Sequence, residues 1–119
     1  MEIITISTNI IQIKSENIII HSLQDTLDII TMAKYEYQAN AIVINKENII
    51  EEFFDLRTGL AGEILQKFIN YQMKIVIIGD LNKYTNKALQ DFIRESNKGN
   101  SILFLPTKKN ALERLTNIM

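Results

Sequence analysis

The stretch that most restricts the fold is Met73-Lys74-Ile75-Val76-Ile77-Ile78, closed by Gly79-Asp80. From Ile75 onward its β-branched residues run without polar alternation, as expected of a strand covered on both faces. Ala41 to Asn45 reads the same way. Strands of that kind need helices packed on the sheet, and the segment between them supplies one. Phe53 to Asn70 opens with two aromatics and a polar turn, Asp55-Leu56-Arg57-Thr58-Gly59. Leu60, Ala61, Ile64, Leu65, Phe68 and Ile69 then form a stripe wide enough to press a helix onto a sheet. Glu63, Gln66, Lys67 and Asn70 fall opposite and are expected in solvent.

The remaining segments repeat the alternation. Glu2 to Ser7 and Ile10 to Lys14 read as two short strands, with Thr8-Asn9 as the hairpin turn. Asn17 to Ile20 carries a weaker strand signal. Ser22-Leu23-Gln24-Asp25 has capping-box spacing and predicts a helix over Leu23 to Glu36, its stripe drawn through Leu23, Leu27, Ile30, Lys34 and Tyr37. Lys46 to Glu52 is expected to be a loop with one helical turn. Thr85 to Lys98 predicts a second amphipathic helix with Ala88, Leu89, Phe92 and Ile93 inward, ended at Gly99 by a C-cap. Ser101 to Leu105 predicts a strand stopped by Pro106. Thr107 caps a last helix that carries Ala111, Leu112 and Leu115 on one face. The expected architecture is a single α/β domain with a mixed sheet: an N-terminal β-hairpin, then alternating helices and parallel strands joined by right-handed crossovers.

Composition narrows the function classes. At 119 residues the chain is sized for one core. A formal net charge of −1 gives no broad attraction to nucleic acid or to acidic membrane surfaces. The absence of cysteine removes disulfides, thiolate metal sites and thiol nucleophiles, and fits a cytoplasmic protein. No apolar run approaches the roughly 18 residues of a membrane span. Without a basic segment leading into an apolar stretch at the start, no signal peptide is expected. The one histidine, His21, rules out a multi-histidine metal site. Phosphate-binding glycine loops, dinucleotide fingerprints and zincin motifs are missing, so no cofactor, metal or catalytic residue is assigned.

Ligands in sheets of this kind gather beyond the carboxyl ends of the parallel strands. Asn45, the Asp55 to Gly59 turn and Gly79-Asp80 are all expected at that edge, with Thr85 close by. A helix N-terminus offers unpaired N–H groups that suit an anion, and Arg57 would strengthen the attraction. The structural alternative is that Asp55 or Thr58 caps the helix while Gly59 and Gly62 allow close packing. Asp80 is equally readable as a turn residue bonded to its own backbone. The candidate binding or regulatory surface is Asp55, Arg57, Thr58, Gly59, Asp80 and Thr85.

Phe53-Phe54-Asp55-Leu56, followed by Thr58-Gly59-Leu60-Ala61-Gly62-Glu63-Ile64-Leu65-Gln66-Lys67-Phe68, resembles the signature of the bacterial family called domain of unknown function 4180. The resemblance runs on through Gly79-Asp80, Tyr84-Thr85, Lys87, Phe92-Ile93 and Glu95-Ser96-Asn97 with Gly99, covering about Asp25 to Leu115. Asn86 departs from it, standing where serine is expected. The family brings no established activity. The order of elements is also similar to that of the sulfate-transporter and anti-sigma-factor-antagonist (STAS) domains, which carry a phosphorylatable serine at the start of a central helix. Thr58 occupies the comparable place. The Asp-Ser pair of those domains is missing, and the loop from Asn45 to Thr58 is longer.

Three functions follow as expectations. The first is a non-enzymatic module acting through an unidentified protein partner, regulatory in the manner of STAS domains, with no nucleic acid or membrane involved. The second is small-molecule or anion binding at the carboxyl edge, with Asp55, Arg57, Asp80 and Thr85 lining one polar pocket. The third is a homodimer built on the hairpin edge or on the helix after Thr58.

Overall fold

The computed structural model describes residues 1–119. Its strands are β1 (Glu2–Ser7), β2 (Ile10–Lys14), β3 (Ala41–Asn45), β4 (Lys74–Ile78) and β5 (Ile102–Leu105). Its helices are α1 (Leu23–Glu36), α2 (Leu60–Asn70), α3 (Lys87–Lys98) and α4 (Lys108–Ile118). The strands lie side by side in chain order, β1 antiparallel to β2 and all later pairs parallel. The mixed α/β sheet with an N-terminal hairpin is therefore as expected. No helix is long and apolar enough to cross a membrane.

Sequential order has a consequence for the layers. Each right-handed crossover advances one strand in the same direction, so α1, α2 and α3 fall on one face. That face holds the larger core, where Ile11, Ile13, Ile42, Ile44, Ile75 and Ile77 meet Ile30, Ile64, Phe68 and Leu89. The chain leaves the sheet after β5, and α4 turns onto the other face. There Ala111 and Leu115 pack on Ile10, Val43, Val76, Ile78 and Leu103. Both faces of β3 and β4 are thus covered, which is why their sequences show no alternation.

Local signals account for most boundaries. Ser22 accepts a hydrogen bond from Asp25 N at 3.2 Å, capping α1, while Asp25 returns the bond to His21 N at 2.8 Å, one residue before the cap. The inward stripe of α1 is Thr26, Ile29, Ile30 and Ala33; Lys34 is exposed and Leu23 and Leu27 are half-buried, a rotation from the expected stripe. In α2, Ala61, Ile64, Leu65 and Phe68 are buried as expected, but Ile69 is 48% exposed. α3 begins two residues later than expected, because Asn86 accepts from Leu89 N at 3.1 Å and caps it there. Its Leu89 is buried, Phe92 and Ile93 half-buried, and Ala88 exposed. Thr107 caps α4 by accepting from Asn110 N at 3.1 Å. Asn17 to Ile20 forms no strand and contributes a single bridge, Ile20 to Ile49.

Gly99 is the C-cap of α3 as expected, its N–H donating to Ser96 O at 3.0 Å, but it sits at φ −91°, outside the left-handed region. Arg114 donates to the carbonyls of Asn97 and Gly99 at 2.6 and 2.9 Å, so a cation from α4 finishes the helix end without a left-handed residue. Lys46 to Glu52 holds one full 3-10 turn, Lys46–Asn48, and the start of a second, Glu51–Phe54; a third, Leu56–Thr58, follows before α2. Asn48 pins the first of them to the exit of β2, donating to the carbonyls of Ser15 and Asn17 at 2.8 Å each.

Candidate functional site: a ledge at the carboxyl edge

The two later 3-10 turns build a ledge, Glu51 to Gly59, leading into α2. Phe53 and Phe54 anchor it, 1% and 5% exposed, with their rings edge to face at 4.9 Å. Asp55 begins the last turn. Its carboxylate accepts from Arg57 N at 3.1 Å and from Arg57 Nε and Nη2 at 2.9 Å each. Backbone turn and two-pronged ion pair thus use one side chain. The Arg57 guanidinium, joined by the Arg57 N–H, holds the Asp55 carboxyl below its ordinary range; Asp55 in turn raises Arg57. The Arg57 side chain is nevertheless 90% exposed, and its Nη1 makes no hydrogen bond within the chain.

Thr58 closes the ledge. Its hydroxyl proton is shared between the carbonyls of Glu52 and Asp55, at 3.0 and 2.9 Å, and its oxygen accepts from Leu60 N at 3.2 Å. Gly59 then turns into α2 at φ +76°, a left-handed conformation that penalises any side chain. A Cβ at Gly59 or Gly62 would meet no atom within 4 Å, so neither glycine serves close packing. Conformation alone accounts for Gly59.

One wall beside the ledge comes from the segment after β4. Tyr84 stacks on Phe54 with centroids 5.0 Å apart, and its hydroxyl donates to Glu51 Oε1 at 2.8 Å. Burial, reinforced by the bond to Glu51, raises the Tyr84 hydroxyl well above its ordinary range, so it stays a donor. Lys83 Nζ lies 4.9 Å from the Tyr84 ring centroid and 3.9 Å from Glu51. Between ledge and wall is a cavity of about 390 Å³ with Phe54, Leu56, Tyr84 and Ala88 as its apolar lining and Glu51, Asp55, Arg57 and Asn86 as its polar groups.

The expected site residues therefore divide. Asp55 and Arg57 share this cavity, with Thr58 and Gly59 next to them in the turn. Asp80 accepts from Asn82 N at 2.9 Å, the own-backbone turn, and lines a different cavity of about 420 Å³ with Leu81, Phe104 and Pro106. Thr85 is exposed and lines neither. Asn45 borders a third cavity of about 520 Å³ with Lys14, Ser15 and Asn17. Asp55 and Asp80 do not converge.

Reading by segment missed the wall and a lysine. Lys46, directly after β3, is 9% exposed; its stem lies under Gly79, where a Cβ would sit 3.0 Å from Lys46 Cγ. Its Nζ is 3.6 Å from Glu47 and 5.8 Å from the Tyr84 ring centroid. Tyr84 comes from the connection after β4 while Lys46 and Glu51 come from the connection after β3, and only the folded sheet edge brings the two together. The adjacent aromatics Phe53 and Phe54 were the one local sign that the turn has an apolar base.

Fold and edge together define an α/β domain with a mixed five-stranded sheet and an aromatic-based ledge entering its second helix. The family model "Domain of unknown function (DUF4180)" matches residues 5–115, and the chain belongs to that family. The match starts earlier than the residues noted in the sequence and takes in the end of β1 and all of β2. No curated protein and no solved structure matches the chain.

Proposed function

We propose that this protein is a non-enzymatic binding module, and that the ledge from Glu51 to Gly59, with Tyr84 beside it, is its contact surface for a protein partner. One observation carries the reading: Arg57 is fixed by a two-pronged bond to Asp55 yet is 90% exposed beside an aromatic-walled cavity. A pre-ordered arginine next to an apolar recess is the usual composition of a binding hot spot, since little side-chain freedom is lost on contact. The apolar recess can take a side chain, and the Nη1 edge of Arg57 can donate to a carboxylate or carbonyl oxygen.

The reading extends to regulation through Thr58, in the manner of the STAS domains. A phosphate there would remove the proton now shared by two ledge carbonyls and add about −1.5 to −2 charges beside Asp55. The ledge would have to rearrange, and a docked partner would meet a changed surface. The competing small-molecule reading keeps Arg57 as the anion-binding group but loses Asp80 as its companion, because the two lie on different cavities.

Affinity purification from the native host separates these readings. Wild type should retain one specific protein that both Arg57→Ala and Tyr84→Ala release, and Thr58→Glu should release it as well if Thr58 is the switch. An unchanged protein list, with a small ligand copurifying only with wild type, would replace the first reading by the second.

A further inference from the structure

The two edges of the sheet are treated differently. Leu105 O accepts from Gly79 N at 3.1 Å and Ser101 O accepts from Ile75 N at 3.0 Å, so alternate residues of β5 face β4 and Phe104 faces outward. Asn97 closes that outward position with its side-chain amide. Its Oδ1 accepts from Phe104 N at 2.8 Å and its Nδ2 donates to Phe104 O at 3.0 Å, as a neighbouring peptide would. Another strand cannot pair there without displacing α3.

β1, at the other edge, has no such guard. It pairs only with β2, and none of the residues from Glu2 to Ile6 makes a backbone hydrogen bond outside that ladder. In an antiparallel pair alternate residues point their N–H and C=O groups away from the partner, so β1 presents a row of unpaired groups. Devices that blunt an edge are nearly absent: there is no proline and no lysine, the one charge is Glu2 at the end, and the register shift falls beyond Thr5. Ile3, Ile4 and Ile6 remain only half-buried.

We infer that β1 is an interaction edge, and that its occupant is the β1 strand of a second copy of this chain, paired antiparallel about a two-fold axis normal to the sheet. The strand is self-complementary in that geometry. With the axis through Ile4, Ile4 faces Ile4 of the second copy and Ile3 faces Thr5, while Glu2 lies toward Ile6 at the bulge that ends the regular stretch, so no carboxylate meets another. The two sheets then become continuous, with the α1–α3 layers on the same face. A formal net charge of −1 sets little repulsion between copies. Edge pairing alone falls in the class of interfaces below about 1,200 Å², so the dimer is a concentration-dependent equilibrium and not a permanent state. The inference does not depend on the ledge.

Sedimentation equilibrium over a concentration series, with amide exchange of the wild-type chain at both ends of that series, tests it. The mass should rise from 13.7 kDa toward twice that value, and alternate amides of β1 should gain protection as it does. Ile4→Lys should weaken association at least about tenfold, a difference of about 1.4 kcal/mol, with an unchanged far-ultraviolet dichroism spectrum. The exchange measurement needs no variant, so a poorly folded Ile4→Lys chain does not remove the test. A wild-type chain that stays monomeric to about 1 mM overturns the inference. So does a dimer in which the β1 amides stay unprotected.

Discussion

Gly59 and Gly62 stand three residues apart in the same segment, yet the fold uses them in opposite ways. Gly59 sits at φ +76° with open space around it, so the cost of a side chain there is conformational and not steric. Gly62 lies in the first turn of α2 with ordinary helical geometry and the same open space. Gly59→Ala should therefore destabilise by about 1 kcal/mol, whereas Gly62→Ala should stabilise by roughly 0.5–1 kcal/mol through helix propensity. Urea unfolding of the two variants would show midpoints shifted in opposite directions. If both fall, something packs on this segment that the monomer does not contain. The Asp55 and Arg57 pair teaches a related lesson. Aspartate at a helix start is legible as a cap, but that its carboxylate would cap a 3-10 turn and fork an arginine at once depended on the turn's geometry.

Elements were legible where one local signal dominated. The four apolar strands β2 to β5 and the caps at Ser22 and Thr107 follow from β-branched runs and from oxygen-bearing side chains at the right offset. Local signals were incomplete where distant parts of the chain meet one helix. The end of α3 is held by β5 and α4 as well as by the Gly99 cap, because Asn97 bonds Phe104 and Arg114 bonds the carbonyls of Asn97 and Gly99. Asn97→Ala should cost about 2 kcal/mol, the sum of two partly buried hydrogen bonds. Amide exchange should also find Phe104 losing protection before the centre of β4. A loss confined to α3 would mean that the asparagine matters only to its own helix.

At the scale of the molecule, the strand order decides which parts are redundant. Three helices share one face, while α4 carries much of the other. Leu115, fully buried there, has no neighbouring helix to fill a void behind it. Leu115→Ala should cost about 3 kcal/mol, within the range for leucine truncation in a core, and should lower the urea midpoint with little change in slope. A cost below about 1 kcal/mol would mean that α4 settles onto the sheet and closes the gap. The sequence by itself determined the alternation of elements, the covered strands and the amphipathic faces, because burial leaves a local periodicity that a single chain records. The tertiary structure alone decided which candidate residues meet. Asp55 and Arg57 joined Tyr84 and Glu51, while Asp80, Thr85 and Asn45 went elsewhere. It also decided which sheet edge stays open. Those outcomes depend on contacts between segments dozens of residues apart, and no periodicity within one segment encodes them.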